Sequence, residues 1–215
     1  MPSPTPRTPL TRERVVRAAI GLADREGLAA LTMRRLGAEL GVQAMSLYKH
    51  VSSKDQILDE VVEEIFGGIE VTDLDAGWEE AMRQRAHATR TALSAHPWAI
   101  GLLESRGASG PASTRYVDAV LGCLRSAGFS LEDAAHAFWT LDSFVYGHVL
   151  QESRASAPPD GRAEEAAPTA DLDSSDYPHL AEVVARASEF SVDAEFDYGL
   201  ELILAALSGA RARRG

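Results

Sequence analysis

Cysteine is almost absent from this chain of 215 residues. The single Cys123 excludes an internal disulfide framework, and because it lies in an apolar periodic stretch we predict a small buried side chain there. The first ten residues, MPSPTPRTPL, lack the apolar run of a secretory signal. No segment reaches the roughly 18 uninterrupted apolar residues that a membrane helix needs. We therefore expect a soluble protein of the reducing cytoplasm.

Residue patterns typical of enzymes and metal sites are also missing. Neither HExxH nor GxSxG occurs. His136 and His148 share one predicted helix with Asp142 between them, but they lie about three turns apart and face different directions. No two histidines lie close together in the sequence with a third residue at the spacing of a metal-binding site. The six histidines are His50, His87, His96, His136, His148 and His179. We expect no catalytic residue, metal or cofactor, and an enzyme with a vestigial head remains an alternative.

The chain does contain ample apolar material at helical spacing. Hydrophobic residues make up 45% of the sequence, and no alternating pattern predicts a strand. The length exceeds that of one typical domain of about 100–150 residues, so we expect two unequal all-α domains.

Charge is unevenly distributed along the chain. The net charge of −11 disfavours a nucleic-acid partner when the chain is taken whole. Residues 1–55, however, hold nine Arg and Lys against five Asp and Glu, a net charge of +4, whereas residues 56–215 hold 12 against 27, a net charge of −15. A basic head on an acidic body presents only the head to a polyanion, and salt should weaken that attraction.

The stretch 32–51, TMRRLGAELGVQAMSLYKHV, predicts two short helices that meet at a glycine. Thr32 is placed to cap the first helix, and Gly41 can adopt the left-handed conformation that ends it before a tight turn. Leu47 anchors one side of the second helix. The other side offers hydrogen bonds and charge from Gln43, Ser46, Tyr48, Lys49 and His50. This set suits a DNA major groove, although spacing alone fits equally a helical hairpin whose polar face meets water.

Further helices flank this pair. An apolar period between Thr11 and Gly27 predicts the first helix. Ser53 and Gln56 form a capping box that starts the fourth helix, which should end near residues 67–68. Lys54 then lies in the first turn of the fourth helix, where its charge and the free backbone donors can together grip a phosphate.

The rest of the chain predicts a helical bundle. Helices are expected over 78–93, from Pro97, and over 111–127, 131–152 and 194–210. The last two carry apolar side chains on two sides, so each must bury one side within its own bundle and the other against a second subunit. We predict a homodimer formed through these two helices.

Two segments are expected to lack regular structure. Residues 1–10 alternate Pro with Ser and Thr and should form a disordered tail. Residues 153–178 are rich in Ala, Pro, Asp and Ser and should form a mobile loop, which is either an idle insertion or a lid over a ligand site.

Residues 11–70 resemble the TetR-type bacterial transcriptional regulators. The resemblance rests on LTMRRLGAELGV, SLYKHV and SSKDQIL. It implies an all-α protein in which a three-helix helix-turn-helix head is joined by helix 4 to a ligand-binding and dimerisation bundle over 71–215. It also implies that helix 3 enters the major groove of DNA.

The same resemblance implies roles for individual residues. Phosphate contacts are implied for Thr32, Tyr48, His50 and Lys54, and base contacts for Arg34, Gln43 and Ser46. Arg34 would read guanine best and Gln43 adenine. Ala44 and Met45 replace the polar or proline residues often seen in relatives, so the operator should differ, and their methyl groups can meet thymine.

The GFSLEDAAHAF run resembles the ligand-binding half of the tetracycline-repressor branch. That branch holds a magnesium–drug chelate with a histidine and a neighbouring threonine near helix 6. This chain reads LLESRGAS there, so tetracycline is not expected as the ligand, and Glu104 is the one candidate for binding a cation.

A small-molecule effector is still expected, because aromatic residues are concentrated in the helices that enclose the family's pocket. These aromatics are Trp98, Tyr116, Phe138 and Trp139, with Trp78 as a further candidate. Arg85, Thr89 and Asp142 are the polar side chains that would orient a ligand. Core packing is the rival explanation for each of these residues.

The function predicted from the sequence is that of a ligand-responsive transcriptional repressor. It would bind a palindromic operator in double-stranded DNA as a dimer and be released by an unidentified small molecule, without a membrane partner. A ligand-independent DNA-binding regulator or activator is the alternative.

Overall fold

A computed structural model describes residues 9–69, 77–107, 110–156 and 176–212. Within these ranges every regular element is helical, which confirms the all-α prediction. The α-helices, in chain order, are α1 (Arg12–Glu26), α2 (Met33–Glu39), α3 (Ala44–Leu47), α4 (Lys54–Gly67), α5 (Trp78–Ala95), α6 (Ala99–Arg106), α7 (Pro111–Ser126), α8 (Leu131–Ser156), α9 (Pro178–Ala185) and α10 (Val192–Ala212). No helix in the described ranges is long and apolar enough to cross a membrane.

The helices form two compact units, Met1–Ala127 and Gly128–Gly215. The first unit contains α1 to α7, so the helix-turn-helix packs together with α5, α6 and α7. The predicted boundary at residue 70 between the head with its helix 4 connector and the body stays a prediction.

The predicted helix starts are confirmed by their caps. The Oγ1 atom of Thr11 accepts a hydrogen bond from the Arg14 amide at 3.3 Å, and that of Thr32 accepts one from the Arg35 amide at 3.2 Å. The Ser53 hydroxyl caps α4 by accepting from the Gln56 amide at 3.1 Å. The return half of the predicted capping box is shifted, because the Gln56 Oε1 atom accepts from the Ser52 amide at 2.6 Å instead of from Ser53.

Helix α4 is the centre of the first unit. It packs against α1, α6 and α7. Its buried apolar side chains are Ile57, Leu58, Val61, Val62, Ile65 and Phe66. Each such side chain stabilises the fold by about 1.5–3 kcal/mol when fully removed from water, so α4 is held mainly by its apolar faces.

The second unit is built on the packing of α8 against α10. Phe196, Leu200 and Leu204 of α10 are buried. The rings of Phe144 and Phe196 stack with their centroids 5.3 Å apart. Gly199 allows this close approach, since a Cβ there would lie 2.6 Å from the Phe144 ring.

Two features of the second unit differ from the prediction. Helix α8 continues to Ser156, four residues into the expected loop, and α9 begins at Pro178, where no helix was expected. Proline at the first position of a helix is a recognised start signal, but the loop-like composition before it obscured that signal. Residues 157–175 of the predicted loop and 1–8 of the predicted tail lie outside the described residues.

Candidate functional site

The turn between α2 and α3 depends on two glycines. Gly41 has a φ of +68°, the left-handed conformation predicted for it. Gly37 lies where the backbones of α2 and α3 approach each other. A Cβ on Gly37 would lie 2.9 Å from the Val42 carbonyl oxygen and 3.1 Å from the Ala44 nitrogen. Glycine at both positions thus permits the tight helix-turn-helix packing.

Helix α3 is shorter than the predicted span from Gln43 to His50. Regular helix covers Ala44–Leu47, and hydrogen-bonded turns continue it. The His50 and Val51 amides both donate to the Leu47 carbonyl, at 2.9 and 3.0 Å. Leu47 is fully buried, so it anchors the inner side of this helix as predicted.

The outer side of the helix-turn-helix carries most of the residues predicted to contact DNA. The side chain of Met45 is 73% exposed and that of Tyr48 is 46% exposed. The other exposed members of the predicted set are Thr32, Arg34, Gln43, Lys49 and His50. Ala44, Ser46 and Lys54 are half-buried. The structure thus leaves a polar, cationic surface around one exposed methionine.

Two ion pairs join α1 to α2, and they involve Arg35 but not its neighbour Arg34. Arg35 pairs with Glu26, and Arg25 pairs with Glu39 at 2.7 Å. Both pairs are solvent-exposed, so each contributes at most about 1 kcal/mol to stability. Arg34, next to Arg35 in the chain, is exposed.

Three carboxylates of α4 contact the segment around α6 and α7, and sequence analysis did not identify them. Asp55, Asp59 and Glu63 recur at four-residue spacing, which places them on one face of α4. Arg106, the last residue of α6, donates to the Asp55 carboxylate at 2.7 Å and also to Asp59. Burial lowers the pKa of the Arg106 guanidinium, but the bonds to both aspartates outweigh this and raise it. The repeat of acidic residues is the signal that could have revealed this face.

Glu63 caps the N-terminus of α7 from outside that helix. Its carboxylate accepts hydrogen bonds from the Ala112 amide at 2.6 Å, the Ser113 amide at 3.0 Å and the Ser113 hydroxyl at 2.5 Å. Burial raises the pKa of Glu63, but the bonds from Ser113 and Ala112 outweigh it, so the pKa lies below its usual value. Gly110 leaves the space for this carboxylate, because a Cβ there would collide with it.

A fourth carboxylate, Asp24 of α1, was also missed. Its Oδ1 atom lies 2.7 Å from the His96 Nδ1 atom and accepts a hydrogen bond of 2.7 Å from the Trp98 indole. The indole N–H of Trp98 is therefore directed to α1. The role of the Trp98 ring in a ligand pocket stays a prediction.

Three of the predicted ligand-binding residues form one buried cluster between α5 and α7. The Nε atom of Arg85 donates to the Tyr116 hydroxyl at 2.8 Å, and the Thr89 hydroxyl lies 3.2 Å from the same oxygen. Arg85 is only 1% exposed. Phe66 of α4 packs against the Tyr116 ring with the centroids 5.1 Å apart. This cluster is consequently in contact with the helix that follows the helix-turn-helix.

The other predicted ligand-binding residues lie on α5, α6 and α8. Glu104 on α6 is exposed. In the second unit Trp139 is 62% exposed, Phe138 is half-buried and Asp142 is buried, with the Tyr146 hydroxyl 3.5 Å from its carboxylate. Trp78, the further aromatic candidate, is buried at the start of α5.

Comparison with known families identifies the helix-turn-helix. Residues 15–61 match the family described as bacterial regulatory proteins, tetR family. Residues 72–210 match the family described as tetracyclin repressor-like, C-terminal domain. The chain belongs to the TetR family. The resemblance seen in the sequence is thereby confirmed over both the head and the helical body.

Relatives of this TetR-family protein include named repressors. The HTH-type transcriptional repressor DrrR1 of Streptomyces coeruleorubidus is 37% identical over 68% of this chain and 55% of its own length, so this chain spans about half of that relative. An HTH-type transcriptional regulator of Saccharopolyspora erythraea is 31% identical over 93% of this chain and 85% of its own length. The class C tetracycline repressor protein of Escherichia coli is 31% identical, covering 94% and 92% of the two chains.

Solved structures share the fold. ActR of Streptomyces coelicolor in complex with actinorhodin has a TM-score of 0.77 and 31% identity, over 95% of this chain and 99% of ActR. BioQ with its double-stranded DNA operator has a TM-score of 0.66 and 27% identity, over 94% of this chain and 99% of BioQ.

Proposed function

We propose that this TetR-family protein is a transcriptional repressor that binds a palindromic operator as a homodimer and is released by a small molecule. The observation that carries the proposal is the helix-turn-helix itself. It closes at Gly41, buries Leu47, and leaves Arg34, Tyr48 and Met45 exposed. A polar outer side with a buried inner anchor is what a helix needs to enter a major groove.

Charge supports DNA as the partner of this surface. The first 55 residues carry a net charge of +4 on a chain of net charge −11. The acidic remainder would be repelled by phosphates, so approach to a duplex favours the basic end. BioQ, which shares the fold, was solved on its double-stranded DNA operator.

The dimer gives the geometry of the operator. In the proposed complex, the two copies of α3 enter successive major grooves about 34 Å apart on a two-fold symmetric site. Apolar side chains that stay exposed within the second unit support α8 and α10 as the contact, namely Leu131, Trp139, Leu150, Tyr198 and Leu202.

The effector is proposed to act through the Arg85, Thr89 and Tyr116 cluster. This cluster contacts Phe66 of α4, and α4 begins at Lys54, a proposed phosphate ligand. An effector that binds one orientation of α4 better than the other lowers DNA affinity by the difference in binding free energy between the two states. ActR, a relative, forms complexes with actinorhodin and with (S)-DNPA.

Mobility shifts on the DNA that flanks the coding sequence test the DNA contacts. Tyr48→Ala and Lys54→Ala should weaken binding to every duplex by about tenfold, because each removes a phosphate contact, and Lys54→Ala should lower the salt slope by about one. Arg34→Ala should mainly relax sequence preference, since it removes a base contact worth about 1–3 kcal/mol.

The control for these variants is Arg154→Ala, which removes an exposed cation from α8 in the second unit. It should leave both affinity and sequence preference unchanged. Wild-type binding by all three helix-turn-helix variants would overturn the contact map, and equal binding of wild-type protein to random duplexes at low salt would overturn the proposed function.

A second candidate is a ligand-independent regulator. The hydrogen bonds among Arg85, Thr89 and Tyr116 support it, because these polar groups already satisfy one another as core residues do. Thr89→Val and Tyr116→Phe distinguish the candidates. The probe is actinorhodin, the molecule bound by ActR. If the protein responds to this class of ligand, actinorhodin releases it from DNA and the two variants change that release more than DNA affinity, whereas a ligand-independent protein is released in neither form.

Tetracycline with Mg²⁺ provides a negative test of ligand class. The helix 6 region reads LLESRGAS and lacks the histidine and threonine on which the tetracycline-repressor branch relies. We expect no release of DNA at tetracycline concentrations that saturate the class C repressor in a parallel mobility shift. Release at those concentrations would contradict this assignment.

A further inference from the structure

Lysine is confined to one short segment of this chain. It occurs twice among the 215 residues, as Lys49 and Lys54, whereas the other 19 of the 21 basic residues are arginines. Both lysines belong to the surface proposed to contact DNA. We propose that Lys49 and Lys54 are acylation sites that control DNA binding, with an acyl thioester as the acyl donor. The inference rests on the proposed function and adds a form of regulation that does not use the Arg85 cluster.

Phosphate binding alone does not account for lysine at these two positions. Arginine binds phosphate through two donors at once, and it supplies every other cation of the chain. The two residue types differ in reactivity, because the lysine amine can be acylated whereas the guanidinium keeps its charge. The two reactive amines of the lysine side chains therefore coincide with the surface on which the proposed function depends.

The structure leaves both amines available for reaction. Lys49 is exposed and follows Tyr48, the C-cap residue of α3, and Lys54 is half-buried in the first turn of α4. Neither side chain forms a hydrogen bond or an ion pair with any residue in the ranges that the structure describes. By contrast, Arg25 and Arg35 of the same head are paired with glutamates. No carboxylate among the described residues has to be displaced before either amine reacts.

The modification is an acyl transfer from sulfur to nitrogen. The lysine ammonium first loses a proton to water, and the free amine then attacks the carbonyl carbon of the thioester. A carbon–nitrogen bond forms, the carbon–sulfur bond breaks, and a second proton passes from nitrogen to the departing thiolate. The products are an amide, a thiol and one proton. Because the amide is neutral, each reaction removes one positive charge from the surface.

The loss of two charges is large on the scale of the head. Residues 1–55 carry a net charge of +4, and acylation of both lysines lowers it to +2. Each phosphate that a cation neutralises contributes about one unit to the salt dependence of DNA binding. Each acylated lysine should therefore weaken binding about tenfold, and acylation of both should lower the salt slope by about two.

Acetylation of the full-length protein followed by binding measurements tests the proposal. The probe is acetyl-coenzyme A, a thioester, and the DNA is a duplex selected by untreated wild-type protein from a random-sequence pool. Peptide mass spectrometry measures the acetyl occupancy of each lysine, and mobility shifts measure DNA affinity. Affinity should fall as occupancy rises, with exposed Lys49 reacting faster than Lys54. Full occupancy of both lysines without a change in affinity would overturn the proposal.

The double variant Lys49→Arg with Lys54→Arg is the matched control, because it keeps both charges and contains no lysine. Each protein is compared with its own untreated form, so a changed starting affinity does not enter the result. Treatment should leave the affinity of the double variant unaltered, whereas each single variant should lose about tenfold through its remaining lysine. A loss in the double variant as large as in wild type would assign the effect to other groups and overturn the proposal.

Protection by DNA separates failure of this inference from failure of the proposed function. The selected duplex should slow acetylation of both lysines about tenfold, and a duplex of shuffled sequence at the same salt concentration should slow it less. If untreated wild-type protein selects no duplex, the proposed function fails and this inference fails with it. If a duplex is selected and bound while both lysines react at the rate of the free protein, only this inference fails.

Protein isolated from its native cells shows whether the modification is used. Mass spectrometry should find acyl groups on Lys49 or Lys54 in a growth phase in which acyl thioesters are abundant, and occupancy of the operator should be lower in that phase. Unmodified lysines in exponential and in stationary phase alike would overturn the regulatory role.

Discussion

At the scale of single residues, backbone space decides where the helix-turn-helix closes. Gly41 supplies the left-handed φ that ends the first helix of the pair, and this requirement was predicted from the sequence. Gly37 supplies room for the second helix, and nothing in local spacing indicates it. Its neighbours across the gap are the backbone atoms of Val42 and Ala44, which cannot move aside as a side chain can.

The Gly37→Ala substitution should therefore damage DNA binding out of proportion to its size. The added methyl group meets backbone atoms at 2.9 and 3.1 Å, so α3 must shift, at a cost of about 1–3 kcal/mol. Thermal unfolding and operator affinity should both fall. Gly21→Ala in α1, where a Cβ meets only the Arg25 side chain at 3.4 Å, is the control that should retain both.

Glu63 offers a prediction about pH. Its pKa is lowered on folding, so its contribution to stability is fully present above the unfolded value of about 4.3 and is lost as pH falls through the folded value. Glu63→Gln should destabilise the protein by about 1.5–3 kcal/mol at pH 7, and the difference should shrink as pH falls below about 4.

Denaturant unfolding of wild type and Glu63→Gln across pH measures this difference. Glu64→Gln, which changes an exposed carboxylate next to Glu63 on α4, is the matched control. Gly110→Ala should reproduce the Glu63→Gln effect, because its Cβ displaces the same carboxylate. A difference that stays constant down to pH 3 would contradict the capping role.

At the scale of elements, the short helix α3 depends on tertiary packing more than on its own local sequence. Four residues of regular helix cannot be stable alone, so α3 exists because Leu47 is buried against the rest of the head. The exposed side of α3 makes no such buried contact, so its residues can vary without loss of the fold. The two sides of α3 should consequently respond to substitution in opposite ways.

Leu47→Ala and Met45→Ala make that contrast measurable. Leu47→Ala removes a fully buried side chain and should cost about 2–5 kcal/mol of unfolding free energy, with loss of DNA binding. Met45→Ala changes a side chain that is 73% exposed, so stability should change little while preference at one base pair of the operator changes. Unfolding and selection from a duplex pool measure the two effects, and equal destabilisation by both would contradict this orientation of α3.

At the scale of the whole molecule, the proposed dimer accounts for the apolar side chains that the second unit leaves exposed. Leu202 on α10 is 56% exposed and Tyr198 is 69% exposed. Large apolar side chains clustered on long helices are typical of subunit contacts. Operator binding then depends on assembly, because two heads bound together gain affinity that one head lacks.

Leu202→Asp should convert the protein to a monomer at micromolar concentration and weaken operator binding by at least tenfold, since it places a charge in the proposed contact. Thr91→Asp, which adds the same charge to an exposed position on α5, should remain dimeric. Sedimentation velocity distinguishes the two, and a wild-type monomer would contradict the dimer.

Periodic and capping patterns were the most predictable part of this molecule. Thr11, Thr32 and Ser53 cap the helices they were predicted to cap, and Leu47 is the predicted anchor. Helix α9 was not predicted, because its proline start signal followed a segment of loop-like composition. The short extent of α3 was not predicted either, because the turns that continue it depend on tertiary packing.

The sequence by itself determined the helical class, the basic head and the exposed residues proposed to read DNA, because spacing, capping and charge are properties of neighbours in the chain. Only the tertiary structure decided the partners of Asp24, Glu63 and Arg106. The contact from Asp24 to Trp98 spans 74 positions, and that from Glu63 to Ala112 spans 49. Nothing in a local pattern specifies which distant donor a carboxylate will meet; the packing of α1, α4, α6 and α7 does.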